Sequence, residues 1–189
     1  MLVDNPSKFA DKFSVNSPRL KNWDYSTSGI YFITICTLNH NHFFGKIIDG
    51  QIELSDKGII AKEELLKTFV IRKNIKLHEF VIMPNHIHLL MEIVNTIDNF
   101  VETPRRDVST TSNIHKPQIA IKSWKANSIS SIINQIKSIS TKRIRKTRLF
   151  FAWQPRFHDE VIKDQNRFFI IKQYIKNNPK NWEKDEYNQ

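Results

Sequence analysis

Two histidines separated by a single residue stand in the run Met83-Pro84-Asn85-His86-Ile87-His88. Side chains alternate across a β-strand, so in an extended segment both imidazoles project from one face and Ile87 from the other. Two neutral imidazoles placed this way can grip one divalent cation. The spacing alone is a weak motif that also fits ordinary strand histidines. A second constellation lies near the end of the chain, where Tyr174 and Asn178 are four residues apart and share one helix face. The phenol is a candidate nucleophile, and the amide can offer its carbonyl oxygen to a metal. A free phenol has a pKa of about 10, so attack at neutral pH needs a nearby cation that favours the phenolate. Packing beside Ile170, Ile171 and Ile175 accounts equally well for Tyr174, and a helix end before Pro179 accounts for Asn178.

Other residues point to a polyanion. Lys137, Lys142, Arg143, Arg145, Lys146 and Arg148 form a basic run that no acid interrupts, the kind of stripe that contacts phosphate backbones. Trp153 and Gln154 follow it and can stack on, or hydrogen-bond to, an unpaired base. Arg19 and Lys21, next to Trp23 and Tyr25, can clasp a nucleic acid strand or dock on the core through the aromatics. His40 and His42 repeat the His-x-His spacing in a polar stretch where no regular strand forces the rings together, so they rank below His86 and His88.

The elements that must position these groups follow from periodicity. Ile30 to Leu38 is β-branched and aromatic and reads as a core strand. Asp49-Gly50 between short apolar runs marks a hairpin. Ser55 caps a helix running to Arg72–Asn74, with Ile59, Ile60, Leu65, Leu66, Phe69 and Val70 on one broad face. Ile75 to Met83 and Ile87 to Val94 form a hairpin about Pro84-Asn85. A helix from Ser128 to Lys146, a strand from Phe157 to Lys163 and a helix from Asn166 to Asn178 complete the order. This is an α+β chain of the ferredoxin-like, split βαββαβ kind, with an antiparallel sheet and an additional C-terminal helix carrying the tyrosine. The expected organisation is an N-terminal arm over 1–28, one domain over 29–182 with a mobile insertion at about 95–127, and a tail over 183–189.

Composition agrees with a single compact domain. The 189 residues are 40% hydrophobic and 25% charged, close to globular averages. Twenty-nine Lys and Arg against 19 Asp and Glu give a net charge of +10, which favours nucleic acid as partner. No apolar run nears the roughly 20 residues of a membrane helix, and the first residues lack a secretory core, so a cytoplasmic protein is expected. The single cysteine, Cys36, rules out an internal disulfide and a thiolate cage. Only four glycines occur, and no phosphate-binding loop, dinucleotide fingerprint or nucleophile elbow is present.

Taken in order, Tyr31-Phe32-Ile33-Thr34, Met83-Pro84-Asn85-His86-Ile87-His88, Trp153-Gln154 and Tyr174-Ile175-Lys176-Asn177-Asn178-Pro179 resemble the single-tyrosine HUH transposases, most closely the REP-associated tyrosine transposases. The resemblance runs from Arg19 to Trp182, apart from the 95–127 excursion. It implies a ferredoxin-like fold, a Mg²⁺ or Mn²⁺ ion on His86 and His88, and Tyr174 as nucleophile. Asn178 stands where relatives that have glutamine are the clearer metal binders. The implied activity is strand transfer or nicking of single-stranded or hairpin DNA through a 5′-phosphotyrosine, by a monomer or a homodimer. The rival expectation is a DNA- or RNA-hairpin-binding protein that kept the fold without the chemistry.

Overall fold

The computed structural model describes residues 24–94 and 128–188, together with the backbone of the short pair Lys8–Phe9 (β1) and Phe13–Ser14 (β2). Arg19, Lys21 and the expected insertion at 95–127 lie outside the described residues. The remaining elements are β3 (Gly29–Cys36), β4 (Gly45–Ile48), β5 (Gln51–Leu54), α1 (Asp56–Ile71), β6 (Ile75–Ile82), β7 (His86–Ile93), α2 (Ile129–Arg145), β8 (His158–Ile162) and α3 (Gln165–Asn177). Short 3₁₀ turns cover Leu38–His40 and Pro179–Lys184.

Strands β6-β7-β3-β8 pair antiparallel in that order, and β3-α1-β6-β7-α2-β8 is the expected ferredoxin-like succession. Each α-helix starts after a capping side chain, as expected of Ser55 for the first. The Ser55, Ser128 and Asp164 side chains accept hydrogen bonds from the backbone N–H groups of Gly58, Ser131 and Arg167, which the first turn leaves without intrahelical partners. The β4–β5 hairpin turns through Asp49 and Gly50, both left-handed with φ of 50° and 70°, the conformation a two-residue turn demands.

Strand alternation sorts β3 and β7 onto two faces. Tyr31, Ile33 and Ile35, with Ile87, Leu89, Met91 and Ile93, pack under α1 and α2 against Leu65, Ile132, Ile133 and Ile136. On the opposite face Leu90 and Ile162 pack under Ile171 and Ile175 of α3, with Ile30, Phe32 and Val81 at the margin. Covered on both faces, β7 is buried at every residue except Glu92, which is half-buried. Each such aliphatic side chain contributes about 1.5–3 kcal/mol of burial. His86 and His88, in phase with Leu90, therefore fall on the α3 face.

One expectation is revised. Helix α1 buries a narrower stripe than its apolar pattern implies: Ala61, Leu65 and Thr68 face inward, while Ile59, Leu66 and Val70 are 45%, 37% and 70% exposed. Beyond α3 the chain stays against the fold. Proline suits the first turn of a helix, and Pro179–Lys184 starts a 3₁₀ turn that brings Trp182 to His42 and His86, with ring centroids 5.6 and 6.1 Å apart.

Candidate active site

Register places the first pair of side chains. In β3–β7 pairing Cys36 faces His86 and Thr34 faces His88. Both imidazoles are fully buried, and each Nδ1 atom is held: His86 Nδ1 lies 2.8 Å from Asn85 Oδ1, and His88 Nδ1 lies 2.8 Å from Thr34 Oγ1. An amide oxygen only accepts, so His86 donates through Nδ1 and carries its lone pair on Nε2. The two Nε2 atoms converge to 3.0 Å. Two imidazoles holding one cation at about 2.1 Å each, roughly at right angles, have that separation. Burial, and for His86 also the neighbouring His88, lowers the two pKa values from 6.5 to about 2 and about 3, which keeps both rings neutral as ligation requires.

Helix α3 supplies the second pair. Its buried face carries Ile171 and Ile175, and the turn between them presents Tyr174. The phenol is 39% exposed, and its oxygen lies 3.3 Å from His88 Nε2. Phe32 meets the Tyr174 ring edge-on at 6.1 Å and fixes its tilt. Burial, followed by the charges of Asp185 and Glu186, pushes the phenol up to about 12. One turn on, Asn178 is buried. Its Nδ2 donates to Asp185 Oδ2 at 2.6 Å, while its Oδ1 is buried without a hydrogen-bond partner. Buried polar atoms are normally satisfied, and a cation beside this oxygen would satisfy it.

The C-terminal segment adds groups that periodicity and spacing did not single out. His86, His88 and Asp185 bring ligand atoms within 4.8 Å of one another and can hold a metal ion. Tyr187 packs its ring 4.7 Å from that of His86 and 5.8 Å from that of His88. Its carbonyl accepts from Asn85 Nδ2 at 2.6 Å, and its N–H donates to Asp185 Oδ1 at 2.8 Å. His40 stacks on Tyr187 at 6.0 Å, so the lower-ranked pair flanks this segment. The legible signal was Trp182 and Tyr187, two aromatics in an otherwise charged terminus. Together Phe32, Thr34, His88, Tyr174, Lys184 and Tyr187 line much of a cleft of about 510 Å³.

The basic run divides once it is folded. The Lys137 ammonium donates to the carbonyls of Gln154 (2.8 Å) and Arg156, and burial lowers its pKa to about 8. Arg143 pairs with Glu63 and Glu64. Lys142, Arg145, Lys146 and Arg148 are exposed. Trp153 is anchored by its indole N–H on the Lys137 carbonyl and packs on Phe44 and Phe151. Gln154 donates its backbone N–H to Cys36. Lys137, Lys142, Arg145, Lys146, Thr141 and Trp153 line a second cleft of about 810 Å³.

No family model matches the chain. An uncharacterised protein of Haemophilus influenzae is 33% identical over 171 residues, 90% of this chain and 91% of the relative. Among solved structures, a REP-associated tyrosine transposase bound to a REP hairpin superposes with a TM-score of 0.54 at 17% identity, covering 87% of this chain and 74% of that one. The ferredoxin-like architecture expected from the motifs is thus the architecture observed, and it is shared with that transposase. The chain belongs to one family with the Haemophilus influenzae protein, on the fold of a REP-associated tyrosine transposase.

Proposed function

We propose that this chain is a transposase-like, metal-dependent strand transferase or nickase that acts on single-stranded or hairpin DNA through a 5′-phosphotyrosine on Tyr174. The observation that carries this reading is the meeting of three groups: the Tyr174 oxygen lies 3.3 Å from His88 Nε2, which lies 3.0 Å from His86 Nε2. The fold shared with a transposase bound to a REP hairpin supports hairpin DNA as the substrate class.

His86 and His88 would hold the ion, with Asn178 Oδ1 as an oxygen donor. The orphaned Asn178 oxygen and the neutral, converging imidazoles fit such a group. Oxygen donors beside imidazole suit Mn²⁺ and tolerate Mg²⁺. When bound, the ion would polarise the scissile phosphate and offset negative charge developing on its oxygens.

The chain's own residues do the rest. Thr34 and Asn85 fix the ring orientations from behind. Tyr174, raised to about 12, stays protonated until positive charge is near, so its nucleophilicity depends on assembly of the site. Glu186 lines the same cleft as Tyr174 and would take the phenolic proton. Attack by Tyr174 forms the bond from its oxygen to phosphorus, breaks the bond from phosphorus to O3′, and leaves a free 3′-hydroxyl. The bond energy is conserved for rejoining. The exposed cations of α2 and the Trp153 platform would bind flanking nucleotides. Arg19 and Lys21 would add to them.

The test is incubation with 5′- and 3′-labelled hairpin DNA and Mn²⁺, read on denaturing gels. A covalent protein–DNA band that needs the metal supports the reading. Tight, salt-sensitive binding with no band under any divalent ion would favour a hairpin-binding protein instead.

A further inference from the structure

The C-terminal segment is fastened to the histidine pair by a closed circuit of contacts. His86 Nδ1 meets Asn85 Oδ1 at 2.8 Å, and Asn85 Nδ2 donates to the Tyr187 carbonyl at 2.6 Å. The Tyr187 N–H donates to Asp185 Oδ1 at 2.8 Å, and Asp185 returns to His86 and His88 within the 4.8 Å donor cluster. Asn178 Nδ2 orients the other Asp185 oxygen at 2.6 Å. Neither hydrogen bond exhausts a carboxylate, which has about four lone-pair sites. Two neutral imidazoles would leave the full charge of a divalent ion in a buried pocket, which is costly without a counter-charge. Asp185 is the acidic member of the donor cluster found among the described residues.

We infer that Asp185 is a ligand of the metal, so that loading of the ion and docking of residues 179–188 form one coupled equilibrium. This rests on the metal-dependent reading above, and it assigns the segment a constructive part in the site. By linkage, whatever affinity the docked segment gives the ion, the ion returns to docking. Asn178 then has two tasks. Its amide N–H orients Asp185, and its free oxygen faces the same ion.

The experiment uses the full chain and Mn²⁺ alone, with no DNA. Calorimetry reads Mn²⁺ affinity, and limited trypsin digestion at the exposed Lys180 and Lys184 reads docking. In the unaltered protein Mn²⁺ should slow cleavage at both lysines. Asp185→Asn keeps the side-chain shape; it should weaken Mn²⁺ by at least about tenfold and remove the protection. His86→Ala should bind Mn²⁺ poorly and be cut equally fast with and without it. Unchanged Mn²⁺ affinity in Asp185→Asn overturns the inference and leaves the two histidines as a metal site. Faster cleavage on adding Mn²⁺ overturns it as well, since the ion would then be expelling the segment. An unaltered protein that binds no Mn²⁺ removes the metal-dependent reading itself.

Discussion

Tyr174 Oη and His88 Nε2 lie 3.3 Å apart although 86 residues separate them in the chain. One comes from α3 and the other from the central strand it covers, so the phenol is set by helix-on-sheet packing. Tyr174→Phe keeps the ring and its packing against Phe32 and His88, and removes only the oxygen. Thermal stability should change by no more than about 0.5 kcal/mol, and hairpin binding should persist. The covalent adduct should disappear. Denaturing gels and filter binding on the same preparation check both halves.

Thr34 presents its hydroxyl to His88 Nδ1 at 2.8 Å. Thr34→Val preserves the β-branched shape and deletes that bond. Loss of such an orienting partner typically lowers metal affinity about 10–100-fold. Calorimetric titration with Mn²⁺ should show a drop of this order, while His86 and His88 remain in place.

The buried histidines also set an acid limit. Their folded pKa values, about 2 and about 3, lie below the ordinary 6.5 because burial penalises the charged rings. The unfolded chain takes up two protons as pH falls through about 6.5, while the folded chain does not. Stability is therefore fully present above about pH 6.5 and is lost progressively below it. The slope reaches at most about 1.4 kcal/mol per pH unit for each histidine. Melting scans in EDTA from pH 7 to 4.5 should show a falling Tm, and a His86→Gln, His88→Gln double variant should flatten the curve.

Cations on α2 should separate into two groups. Replacing exposed Lys142, Arg145 and Lys146 by Gln should weaken DNA binding uniformly across sequences and reduce the salt slope by about one for each phosphate no longer neutralised. Arg143→Gln should leave that slope nearly unchanged, because its guanidinium is committed to Glu63 and Glu64. It should instead lower Tm, since Glu64 is buried and would be left without its charged partner. Binding isotherms at several salt concentrations, beside melting scans, distinguish the groups.

Where a regular period governs position, the sequence was readable. Period two put His86 and His88 on one face, and the four-residue spacing of Tyr174 and Asn178 put them on one side of α3. The cap at Ser55 set the start of α1. The part of the site that stayed hidden depends on tertiary return. Asp185 and Tyr187 follow Pro179 with no period of their own, and they acquire meaning only when the 3₁₀ turn folds back on His86. The basic run looked uniform for a similar reason. Which cations are free depends on partners from other elements: carbonyls after α2 for Lys137, and the acids of α1 for Arg143.

The most direct test is peptide mapping of the covalent adduct after nuclease trimming, because it names the attacking atom. Trypsin places Tyr174 between Lys172 and Lys176, and Tyr187 after Lys184, so the two phenols adjoining the histidine pair fall in different peptides. The account predicts a 5′-linked nucleotide on Tyr174, absent when the metal is chelated. A nucleotide found on Tyr187, or an adduct linked through a 3′-phosphate, would contradict it.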